Sequence, residues 1–356
     1  MCDRVHDGLS DAELGERLAG RVLELIDIPS ESRYEGALAS HVADVLKAGN
    51  VAVQELGDCA ILAGPADARV VLAGHLDTVP SQGNRPGARE GDRVAGLGAS
   101  DMKGALAVML ELALAGSPYC HLFFPREELP AAESALTPLL ASHRLDSELV
   151  LMMEPTDNDI HAGCLGNINA NWTFRGRSGH SARPWLADNA IERAAAGISA
   201  LAVHPPEPQE FGGLVFREVA SVTRIAGGIA GNVIPDRVEC HLNYRYAPGR
   251  SPQDAEARLA ERCASHGELE VTSNAASGAV PSGNRLLERF KATGDLPVRP
   301  KQAWTPVAEF AQAGYDAVNF GPGAPDQAHR RDESVEIAAL VRCTRLLERF
   351  AGAALT

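Results

Sequence analysis

The stretch ARVVLAGHLDTVP, residues 68–80, runs Val70, Val71, Leu72 and Ala73 into a histidine and an aspartate and stops at a proline. So short an apolar run, without polar alternation, fits a strand buried on both faces, as in an α/β sheet. Its neighbours repeat the pattern. AILAG (60–64), CHLFF (120–124) and ELVLMMEP (148–155) are short apolar runs, and KGALAVMLELALAG (103–116) between them reads as a helix. Upstream, an amphipathic pattern from Asp11 to Ile28 ends at Pro29, and YEGALASHVADVLKAGN (34–50) is a second helix stopped by Gly49-Asn50. Apolar runs alternating with helices define an α/β layer around a largely buried sheet.

The rhythm changes near residue 167. In NINANWTFRG (167–176) Ile168, Ala170, Trp172 and Phe174 alternate with polar residues, as in a strand with one wet face. DRVECHLNYRYAPG (236–249) repeats this with Val238, Cys240, Leu242, Tyr244 and Tyr246. Helix patterns follow at 188–204 and 251–267, the second opened by Ser251, Pro252 and Asp254 as a capped start. Two half-exposed strands and two helices predict a small α+β insert at 167–280, interrupting a discontinuous domain of residues 1–166 and 281–356.

A chain of 356 residues exceeds what one core usually fills, consistent with that division. Acidic residues number 47 against 33 basic ones, a net charge of −14, and no basic block occurs. Nucleic acid and anionic membrane surfaces are therefore excluded as main partners. The seven cysteines, at 2, 59, 120, 164, 240, 263 and 343, form no CxxC pair. That pattern predicts reduced thiols in a cytoplasmic protein. The polar start, MCDRVHDGLSDAELGERL, lacks a signal-peptide pattern, and no apolar run is long enough to cross a bilayer.

Polar residues gather where the apolar runs end, which is where open α/β sheets build their sites. His75 and Asp77 follow VVLA. Asp101 lies in GLGASDMKG (96–104), Glu127 and Glu128 follow HLFF, Glu154 follows LVLMM, and His329 lies in GPGAPDQAHRRDE (321–333). Alone, each has an ordinary explanation as a turn, a glycine-rich loop or a surface charge. Together they supply a His, Asp and Glu set suited to two zinc-like ions bridged by one carboxylate. His75 and Asp77 share a face in extended chain, so Asp77 is placed to accept from the far ring nitrogen of His75. Glu127 and Glu128 point in opposite directions at a strand end, one toward metal and one left as a base.

GHLDTVP, GLGASDMKGALA, the Glu-Glu pair, MEPT, RSGHSARP (177–184), GNVIPD (231–236) and AHRRDE (328–333) occur in the order and spacing of a known family. Over nearly its whole length the chain resembles the dinuclear zinc metallopeptidases and deacylases. That family includes aminoacylase, acetylornithine deacetylase, glutamate carboxypeptidase and the desuccinylases, and one desuccinylase branch is the most similar. The resemblance implies a zinc-peptidase-like catalytic domain with a central mixed sheet and an inserted dimerisation lid. It implies that His75 and Glu154 hold one zinc, that Glu128 and His329 hold the other, and that Asp101 bridges them. Cobalt is expected to substitute. By the same resemblance Glu127 is the general base, and His180 in RSGHSARP reaches the partner subunit's active site in a homodimer. Arg245, Asn232 and Thr305 are the implied contacts to a small N-acyl amino-acid substrate, here N-succinyl-LL-2,6-diaminopimelate. The chain departs from the branch at Cys164 and Leu165, where arginine is usual, and at Pro306, where aspartate is expected.

Two readings from other classes remain to be weighed. A dinucleotide-binding oxidoreductase fails on GLGAS, because Asp101 stands where the third glycine should fall. A non-catalytic, metal-stabilised binding protein is disfavoured by the presence of every ligand and the base.

Overall fold

The structure, a computed structural model, describes residues 8–354. Cys2 and the first part of the polar start lie outside the described residues. Among those described, no helix is long and apolar enough to cross a membrane.

The chain divides into two compact units. The first comprises the chain up to Ala162, Pro281–Arg299 and the chain from Glu309 onward. Its core is an eight-stranded sheet in the order Val53–Gly57, Ala60–Ala63, Cys120–Phe124, Val70–His75, Leu149–Met152, Ala317–Asn319, Ile160–Ala162, Val298–Pro300. The four middle strands from Cys120–Phe124 to Ala317–Asn319 are parallel and buried at every position, whereas their flanking strands Ala60–Ala63 and Ile160–Ala162 are antiparallel. The sheet is thus mixed, as the α/β reading requires. Parallel register aligns His75 with Phe124 and Ala73 with Met152, so the carboxyl ends of three strands finish along one edge.

Helix Asp11–Asp27 starts at a capping box between Ser10 and Glu13. It packs with Ile337–Ala354 and with Gly104–Leu114. The last of these is buried around its whole circumference through Ala113, which explains its apolar sequence without amphipathic periodicity. Its one charge, Glu111, is met by Arg17 and by Arg21 Nε at 3.0 Å.

The second unit comprises Gly163–Val280 and Pro300–Ala308. Its antiparallel sheet runs Glu207–Phe211, Leu214–Gly227, Arg237–Tyr246, Gly166–Arg175, Glu268–Ala275. Ile168, Ala170, Trp172, Phe174, Val238, Cys240, Leu242 and Tyr244 form one core with the helices Ala190–Ala202 and Pro252–Cys263. Alternation revealed two of the five strands. The other three carry many polar or exposed positions and gave weaker signals.

Pro300–Ala308 corrects the sequence boundary, which left this segment with the 281–356 half. Leu165 N donates to Ala303 O at 3.2 Å, Arg217 N to Gln302 Oε1 at 3.1 Å, and Trp304 Nε1 to Ala276 O at 3.1 Å. These long-range bonds tie it to the second unit, and local sequence carries no trace of them.

Candidate metal centre

Along the carboxyl edge of the parallel strands, the first unit gathers His75, Asp77, Asp101, Glu127, Glu128, Glu154 and His329. Strand Val70–His75 ends on the His75 ring, which is fully buried. Gly74 before it has no room for a side chain, since an added Cβ would lie 2.8 Å from Leu106 Cδ2 and from Met102 Cε. His75 Nδ1 lies 2.9 Å from the Asp77 backbone carbonyl, and its Nε2 lies 3.1 Å from Asp101 Oδ1. The first contact fixes the tautomer that leaves Nε2 to face the carboxylates.

Asp77 differs here from the sequence reading. Its carboxylate stands 3.6 Å from His75 Nδ1, beyond hydrogen-bond reach. The oxygens are engaged elsewhere: Oδ1 accepts from Glu127 N at 2.9 Å, and Oδ2 from Glu128 N at 3.0 Å and Ser32 Oγ at 2.8 Å. Burial alone would raise Asp77, but His75 and these donors hold it below the usual carboxylate range. Asp77 therefore sets the backbone of the Glu127-Glu128 turn, while its own carbonyl orients His75. Ser32 escaped sequence reading because nothing near it signals chemistry.

The Glu pair sits in a bend beyond strand Cys120–Phe124, after Arg126 at φ 57°. Glu128 reaches His329 Nε2 at 3.0 Å. His329, itself at φ 62°, also places Nε2 3.6 Å from Asp101 Oδ2. Asp101 thus turns one oxygen to each histidine. It can do so because its backbone, at φ −123° and ψ 89°, breaks from helical geometry just before helix Gly104–Leu114.

Three overlapping donor groups result: His75 with Asp101 and Glu154, His75 with Glu127 and Glu128, and Asp101 with Glu128 and His329, each within 4.8 Å. Ligand atoms about 2.0–2.2 Å from a tetrahedral zinc lie about 3.3 Å apart, close to the separations seen here. Four carboxylates crowd this region. Burial, followed by the charge of Glu154, pushes Glu127 well above the ordinary carboxylate range, and burial also raises Glu128. The Glu128 hydrogen bond raises His329 to about 9. A nitrogen and oxygen donor set with excess negative charge fits divalent cations.

The remaining residues singled out in the sequence belong to the second unit. His180 is exposed and pairs with Val233 beside Asn232, whose carbonyl accepts from Ser181 N at 3.0 Å. Arg245 is half-buried, its Nε donating to Asn243 Oδ1 at 2.9 Å, and meets no carboxylate within 4.0 Å among the described residues. Thr305 is buried, and its carbonyl lies 3.6 Å from the Cys164 thiol.

Comparison with known proteins agrees with this architecture. The model of Peptidase family M20/M25/M40 matches residues 71–353, and the chain belongs to that family. It is 38% identical to a Mycobacterium tuberculosis protein named as a succinyl-diaminopimelate desuccinylase, over 92% of this chain and 96% of that one. A Corynebacterium glutamicum succinyl-diaminopimelate desuccinylase is 34% identical, with 92% and 94% covered. Among solved structures, the aminopeptidase PepT of Bacillus cereus superposes with a TM-score of 0.74 at 18% identity, over 94% of this chain and 97% of that one. At that identity the superposition speaks for the fold alone.

Proposed function

We propose that this chain is a dinuclear zinc amide hydrolase that converts N-succinyl-LL-2,6-diaminopimelate to succinate and LL-2,6-diaminopimelate. The observation that carries the hydrolase reading is Asp101, whose two oxygens face His75 and His329 separately. In this reading His75 and Glu154 hold one ion, Glu128 and His329 hold the other, and Asp101 is shared. The succinyl substrate is supported by the names of the two relatives above; in this reading the reaction belongs to cytoplasmic lysine and peptidoglycan precursor synthesis. Cobalt suits the same nitrogen and oxygen donors.

When bound by these residues, such ions would lower the pKa of a water and polarise the amide carbonyl. Glu127 lies beside His75 and Glu128 without hydrogen-bonding His329, so it takes the water's proton and returns it to the leaving nitrogen. His180, contributed by a second copy of the chain, donates to the oxyanion. Arg245, with no acidic partner among the described residues, offers its fork to a substrate carboxylate, and Asn232 and Thr305 supply polar contacts. Exposed Trp185, Leu186 and Ile225 in the second unit support its role as the dimerisation lid.

Succinate release by zinc-reconstituted protein, measured beside N-acetylornithine and a dipeptide panel, tests the reading. Preferential succinate release is expected. Preference for another amide would make the chain a different deacylase or peptidase of the family, with Cys164 and Pro306 as the residues to examine. No cleavage with two ions bound would overturn the enzyme.

A further inference from the structure

Glu333 closes the motif AHRRDE, four residues after His329, and the scheme above leaves it idle. It is 2% exposed. Its Oε2 accepts from Gly98 N at 2.8 Å, and its Oε1 accepts from Ser100 N and Asp101 N, each at 2.8 Å. Its backbone carbonyl accepts from Gly96 N at 2.9 Å. One residue thus meets four amides of the six-residue loop Gly96–Asp101 from more than 200 positions away.

We infer that Glu333 is a positioning residue for metal binding: its carboxylate gathers the loop amides into a nest and thereby sets where Asp101 presents its two oxygens. Several features make this a built arrangement. Gly98, at φ 78°, leaves no space for a side chain, since a Cβ would stand 2.9 Å from Thr78 Cγ2. That conformation turns its N–H toward the carboxylate. The Asp101 backbone is outside helical geometry, so its N–H needs a partner beyond its own helix. A buried carboxyl whose two oxygens accept three amides holds each amide at a fixed place, and these bonds oppose the burial that raises Glu333 to about 7. Glu333 is itself anchored, because strand Ser334–Glu336 pairs with Arg93–Ala95 directly after it. The same segment therefore carries His329 and dictates the backbone of Asp101. Any slack at Glu333 alters the distance between the two.

The inference rests on the reading that Asp101 is shared by two ions, and the experiment separates the two. Wild type, Glu333→Gln and Glu333→Asp are titrated with Zn2+ against a chelator and with Co2+ by visible absorption, and the melting of each metal-free protein is recorded. Glutamine retains the shape but only one accepting oxygen, and aspartate retains the charge but sits back by one methylene. Both should still fold when metal-free, melting below wild type because a buried loop amide loses its acceptor. Both should bind metal about 10- to 100-fold more weakly, with an altered cobalt spectrum, as expected when a group orienting a ligand is changed. Two ions bound at wild-type affinity and with an unchanged spectrum in both variants would overturn the inference, even if melting fell. A wild type that binds fewer than two ions would instead overturn the shared-ion reading, and this inference with it. If neither variant folds, hydrogen exchange on metal-free wild type decides. Strong protection of the Gly98, Ser100 and Asp101 amides supports the nest, and exchange as fast as an open loop overturns it.

Discussion

Glu127 and Glu128 are adjacent in sequence and held by the same aspartate, yet they face different neighbours. Glu128 meets His329, whereas Glu127 meets the negative charge of Glu154. In the proposed scheme that difference separates a ligand from a base. Glu127→Gln keeps the volume and removes the proton acceptor, so it should retain both ions while turnover falls about 10²- to 10⁴-fold. Metal analysis paired with turnover checks this; two ions with near-normal rates would remove the role. His180 belongs to the second unit, whereas every candidate metal donor belongs to the first, so His180→Ala removes no donor. It should spare metal content and lower kcat about 10²- to 10³-fold, the usual loss of one oxyanion donor. An unchanged kcat would leave the oxyanion without this histidine. At this scale sequence reading succeeds where chemistry-bearing types end apolar runs, and it misses Ser32 and the backbone role of Asp77. Those depend on the Asp77 carboxylate meeting amides 50 or 51 residues away and the Ser32 hydroxyl 45 residues away, which no local pattern encodes.

Elements fix the centre by parallel register at one sheet edge, and a glycine turn locks two of them. Gly321 follows strand Ala317–Asn319 by two residues, and an added Cβ would lie 2.3 Å from Met153 O and 2.5 Å from Glu154 O. Gly323 would meet Ser100 O at 2.3 Å in the same way. Both obstacles are backbone, which cannot swing aside as a side chain can. Gly321→Ala must therefore displace the segment bearing Glu154 and should destabilise the first unit near the upper end of about 1–3 kcal/mol. Zinc affinity should fall with it. Urea unfolding together with chelator competition tests both; a loss of stability with undiminished affinity would show that Glu154 absorbs the shift. Gly-rich GPG in the sequence marks a turn, but only the packing shows which backbones it touches.

Across the whole molecule, the two-part rhythm of buried runs and then alternating strands was legible because burial on two faces and on one face leave different periodicities. The allocation of Pro300–Ala308 was not legible, since it depends on hydrogen bonds to Leu165, Arg217 and Ala276, the nearest of them 28 residues away in sequence. Buried runs also hide a cost that composition cannot show. His121 lies inside strand Cys120–Phe124, fully buried, and burial lowers its pKa to about 3, against about 6.5 in an unfolded chain. Ser117 Oγ lies 3.2 Å from its Nε2, and among the described residues no carboxylate pairs with the ring. The folded protein therefore keeps a neutral imidazole over a range in which the unfolded chain takes up a proton. Stability from this group is complete above about pH 6.5 and is lost as pH falls toward 3, by about 1.4 kcal/mol per unit. Carboxylates elsewhere also titrate in this range, so the comparison must be made with a variant lacking only this ring. His121→Leu should be less stable or equal at pH 7 and should lose less stability than wild type between pH 6 and pH 5, measured by denaturant unfolding of the first unit. Equal losses would mean that His121 is already protonated in the folded state, paired with a group brought to it in solution.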